Sequence, residues 1–130
     1  MKVLRTTAGF VCGYAIMVVL ITLVQETWFG GVGFGTTHPV TLGLAGFFTC
    51  VAGGIGGAAA TAVGGWGRIP ASIMSGVVVV ETTVLIATGR VAGPLWFDLA
   101  SAGSLIVAIL IGAEIYLRMV RTLGQRPKIA

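Results

Sequence analysis

Four apolar runs, each near the length needed to cross a bilayer, alternate along the chain with short stretches of glycine, proline, aromatic and charged residues. The first spans residues 8–26. Proline punctuates the others: Pro39 opens a span over 39–64, Pro70 one over 70–88, and Pro94 precedes one over 98–118, with Asp98 as a suitable N-cap. All four prolines fall outside span interiors, so local chemistry and hydropathy place the boundaries alike. The pattern predicts an all-α protein, one domain of four transmembrane helices over residues 1–130, with a basic tail over 119–130.

Lys2 and Arg5 ahead of the first apolar run look like the start of a signal peptide. The run is longer than an ordinary h-region and ends at Gln25-Glu26-Thr27-Trp28 without a small-x-small site, so the first span is expected to stay as an anchor. Seven basic residues, Lys2, Arg5, Arg68, Arg118, Arg121, Arg126 and Lys128, fall on the side of both termini and the middle connection, and only Arg90 falls on the other. The positive-inside rule then puts both termini on the cytoplasmic side. Trp28, Trp66, Trp96 and Tyr116 lie near span ends, where aromatic rings anchor depth.

Residues 43–65 hold eight glycines and six alanines. At four-residue spacing they form three adjacent small stripes on the second span: Gly46, Cys50, Gly54, Ala58, Ala62; Gly53, Gly57, Thr61, Gly65; and Ala52, Gly56, Ala60, Gly64. Gly53 and Gly57 are a GxxxG pair. Such faces let helix backbones approach closely in lipid. Counterparts exist on the other spans: Gly9 and Gly13 on the first, Ser72 and Gly76 on the third, and Ala100, Ser104, Ala108 and Gly112 on the fourth. A compact bundle built around the second span is expected; the alternative is that one of the extra small faces of that span docks another chain.

Composition agrees: 56% hydrophobic and 9% charged residues, with mean hydropathy +1.03, leave no room for a separate soluble domain. The net charge of +4 serves topology and lipid contact, and no nucleic-acid partner is expected. Cys12 and Cys50 lie inside spans without metal-ligand spacing, and His38 is the one histidine, so neither a metal nor a cofactor is called for. The glycines at 31, 33 and 35 follow no strand and precede no P-loop lysine, so they are no nucleotide loop. No nucleophile and base come together in the pattern, and the chain is expected not to be an enzyme.

Glu81 stands out. It interrupts the apolar third span, where an ionised carboxylate costs a few kcal/mol. It must be protonated, hydrogen-bonded or turned to a polar cavity, with Thr82, Thr83, Thr22, Thr49 and Tyr14 as possible partners. Glu114 stands one turn before Arg118 as an interfacial pair, and Arg90 has Glu26 and Asp98 as candidate partners.

At Ala8-Gly9-Phe10-Val11-Cys12-Gly13-Tyr14, followed by Met17, the chain resembles small bacterial four-helix membrane proteins, a resemblance that implies no particular activity. In size and helix count it also looks like a small multidrug resistance transporter, a family whose essential glutamate lies in the middle of the first helix. Here that stretch is Tyr14–Val18 and the acid is Glu81 on the third span. Two functions follow as expectations: a non-catalytic accessory or interaction subunit, of a membrane complex or of itself, and a homo-oligomeric proton-coupled transporter or channel using Glu81.

Overall fold

The computed structural model describes residues 1–30, 38–65, 67–90 and 95–124. They form four helices, α1 (Lys2–Phe29), α2 (Pro39–Val63), α3 (Ile69–Ala87) and α4 (Leu95–Gly124). Each is long and apolar enough to span a membrane. Trp66, the glycine-rich loop after Gly30, Pro94 and the tail beyond Gly124 lie outside the described residues.

Two helices are longer than the hydropathy pattern implied. α1 takes in the basic start of the chain and stops at Gly30, whose left-handed φ of 60° directs its N–H back to the Gln25 carbonyl. α4 begins at Leu95, so Asp98 lies inside the first helical turn and is not the N-cap. The part of the basic tail that is described continues α4 to Gly124. α2 opens as expected, with His38 at the N-cap and Pro39 in the first turn.

The packing is built from absence of bulk. Five of the ten buried apolar side chains among the described residues are alanines, so the helix axes are held close where a soluble core would have leucine and phenylalanine. Gly9 and Gly13 of α1 lie on the Gly56–Ala60–Gly64 stripe of α2: a Cβ at Gly13 would stand 2.5 Å from the Ala60 Cβ and 2.5 Å from the Gly56 carbonyl oxygen. The next stripe of α2 meets α4, with Gly53 under Leu105 and Gly57 against the Ile109 backbone. Gly112 of α4 lies directly on the Gly54 backbone, beside Ala108. These contacts run α2 antiparallel to α1 and parallel to α4, with α1 and α4 on adjoining stripes of α2. Both described chain ends therefore lie at one end of the bundle, called the terminal end below.

α3 enters differently. The small face assigned to it, Ser72 and Gly76, points away from the bundle, and nothing lies within 4 Å of a Cβ placed on Gly76. α3 packs through the adjoining face, Ala71, Met74, Ser75 and Val78. Ser72 needs no neighbour because its hydroxyl donates to the Arg68 carbonyl at 3.1 Å. On α4, Ser104 is exposed as well and donates to the Ser101 carbonyl at 2.9 Å, so only the Ala108–Gly112 part of that stripe is in contact.

Large apolar side chains cover the outside: Val80 is 61% exposed, Phe47 62% and Leu99 55%. In water such a surface would be a liability; against acyl chains it is the required one.

Candidate functional site

The terminal half of the bundle is closed by Met74, Ile109 and Thr61, all fully buried, with Thr61 satisfied by its own helix through the Gly57 carbonyl at 2.9 Å. Beyond Val78, α3 has no buried residue, and a cavity of about 270 Å³ opens between α1, α3 and α4 in the other half. Its polar lining comes from three helices: Tyr14 on α1, Glu81 and Thr82 on α3, and Asp98 and Ser101 on α4.

Tyr14 donates a short hydrogen bond to the Glu81 carboxylate. Three of the other hydroxyls considered for this role behave locally. Thr49, Thr82 and Thr83 donate to the carbonyls of Ala45, Val78 and Val79, four residues back, at 2.8, 2.8 and 2.7 Å. A phenol at the end of a long rigid side chain reaches across the helix gap; a threonine hydroxyl is captured by its own backbone.

Asp98 is the residue that sequence reasoning misplaced. Because α4 starts three residues earlier, Asp98 shares a helix face with Ser101, Ala102 and Leu105, and these four line the cavity together. One carboxylate oxygen, Oδ2, is buried and has no hydrogen-bond partner among the described residues. The amino-terminal end of α4 offsets part of that cost, since the helix dipole favours negative charge there. The i, i+3, i+4, i+7 spacing of these residues was the available signal. Neither Glu26 nor Asp98 pairs with Arg90 among the described residues.

The ion pairs among the described residues are at the terminal end. Glu114 joins Arg68 of the α2–α3 connection at 2.7 Å as well as Arg118 at 3.2 Å. Trp28 is 68% exposed and meets Phe48 edge-on at 5.0 Å, Trp96 is exposed at the start of α4, and Tyr116 is half-buried near the terminal end. No three His, Cys, Asp or Glu side chains converge among the described residues.

Bundle, lipid-compatible surface and membrane-length helices together define a multi-pass membrane protein of the all-α class, a four-helix bundle. Compared with protein-family models, curated proteins and solved structures, the chain matches none of them.

Proposed function

We propose that the protein is a proton-coupled carrier or channel for a small molecule, working as a homo-oligomer in a bacterial inner membrane with both termini in the cytoplasm. The supporting observation is the cavity that places the Tyr14–Glu81 pair and the buried Asp98 oxygen in one space. Ionisable groups within a membrane span are costly and belong to ion and proton pathways far more often than to simple packing. Glu81 would take up and release the proton, Tyr14 would hold its carboxylate in place, and Asp98 would supply a second negative centre for a proton or a cationic group. Met74, Ile109 and Thr61 fill the terminal half among the described residues, so a second copy or a rearrangement of α3 would open that side. Replacing Glu81 by Gln is expected to abolish pH-dependent flux in proteoliposomes while the protein still inserts and purifies normally. Unchanged flux would remove the proposal.

A second reading, a non-catalytic accessory subunit of a membrane complex, is favoured by a separate observation. Gly43, Gly46, Gly76 and Gly103 have nothing within 4 Å of an added Cβ, and Ser72 and Ser104 are exposed. These are small-residue surfaces its own chain does not fill, of the kind other helices pack on. Gently solubilised protein from native membranes should then carry a stoichiometric partner. A bare monomer without crosslinks to any chain rules this reading out.

A further inference from the structure

On the face of the bundle away from the acidic cavity, α2 and α4 bound an open groove of about 450 Å³. Its floor is the small stripe Cys50, Gly54, Ala58 on α2 and Ala108, Gly112 on α4, and its walls are Phe47, Ile55, Ile111 and Ile115. The Gly54–Gly112 contact makes it: the helices touch backbone to backbone there, so no side chain rises between the walls. Residues 108–119 of α4 measure about 16 Å at roughly 1.5 Å per residue, the scale of one extended acyl chain within a single leaflet.

The groove is apolar along this length and then changes character. Towards the terminal end it continues past Ile115 and Met119 into a second hollow lined by Arg118, Thr122 and Leu123. Arg118 is 77% exposed and gives its Nε to Glu114, a carboxylate shared with Arg68, so two guanidinium groups face one carboxylate and the rim keeps a positive charge. Arg121 adds another in the last turn of α4. An acyl-length apolar slot that ends in an arginine rim is complementary to one kind of molecule.

We propose that this groove holds an anionic phospholipid of the leaflet at the terminal end, one acyl chain lying over Gly54 and Gly112 and the phosphate at Arg118. Basic pockets between helices at a membrane surface recognise anionic headgroups in this way, and the apolar slot adds the shape that a basic tail alone lacks. The site is independent of Glu81.

The test uses the full-length chain in nanodiscs of equimolar phosphatidylglycerol and phosphatidylcholine, with lipids retained after transfer to mild detergent read by native mass spectrometry. Wild type should keep at least one phosphatidylglycerol per chain in preference to phosphatidylcholine. Arg118→Gln should lower that preference about tenfold, equivalent to about 1.4 kcal/mol. Ala58→Leu, which fills the slot without touching charge, should lower retention of both lipids. Equal retention of the two lipids by wild type overturns the proposal whether or not either variant folds. So does efficient disulfide formation between Cys50 residues of two chains in the same nanodiscs, which would assign the groove to a second copy.

Discussion

Gly112→Leu should destabilise the bundle by about 3 kcal/mol, the upper part of the range for overpacking. The reason is the identity of the atoms in the way. An added Cβ at 112 falls on the carbonyl and Cα of Gly54, which are backbone and have no rotamer to change. α2 and α4 must therefore move apart, and Ile109 and Ala113, both essentially fully buried, lose their contacts together. Gly53→Ala makes the contrast on the same interface, because its close neighbour is the Leu105 Cδ1, the end of a flexible side chain that can turn aside. Gly76→Leu is the control, with open space around it, and should stay within about 0.5 kcal/mol of wild type. Reversible unfolding in mixed micelles titrated with dodecyl sulfate measures all three. Equal losses for Gly112→Leu and Gly76→Leu would show that glycine matters here for helix propensity and not for close approach.

That contrast also shows where sequence reasoning stopped. Hydropathy and proline placement located the four helices because lipid imposes a length and a polarity on any span. The crowding of glycine on α2 located the centre of packing, since two of its stripes meet neighbours: Gly56 meets α1, and Gly57 meets α4. On α3 the face that packs within the chain adjoins the one that spacing selected. Ser72 and Gly76 are one residue from Ala71 and Ser75, both pairs are small, and lipid accepts either face outward, so spacing alone could not distinguish them. Local signals failed similarly at Asp98. Its capping preference is real in isolation, but Leu95 and Trp96 sit at a membrane boundary where helix is the state that satisfies the backbone, and the helix starts before the cap. Glu81 was visible from composition. Its partner was among five candidates, and tertiary distance chose the one with the longest reach.

Asp98→Ala is expected to stabilise the protein while it removes function. A buried acceptor without a partner costs about 1–3 kcal/mol, and the dipole at the start of α4 returns about 0.3–1 kcal/mol of that. Deleting the carboxylate at the wall of an existing 270 Å³ cavity leaves little new void, so a net gain of about 1 kcal/mol should appear in the same dodecyl sulfate titration. Flux should move the other way. If the Asp98 oxygen is held unpaired to receive a proton or a cationic group, its loss should lower pH-dependent flux in proteoliposomes at least about tenfold, the equivalent of about 1.4 kcal/mol. Opposite signs in the two measurements are the mark of a site kept at the expense of stability. An aspartate that serves only the helix dipole gives the reverse pair, lower stability with unchanged flux, and that result would take Asp98 out of the mechanism and leave Glu81 and Tyr14 to act without it.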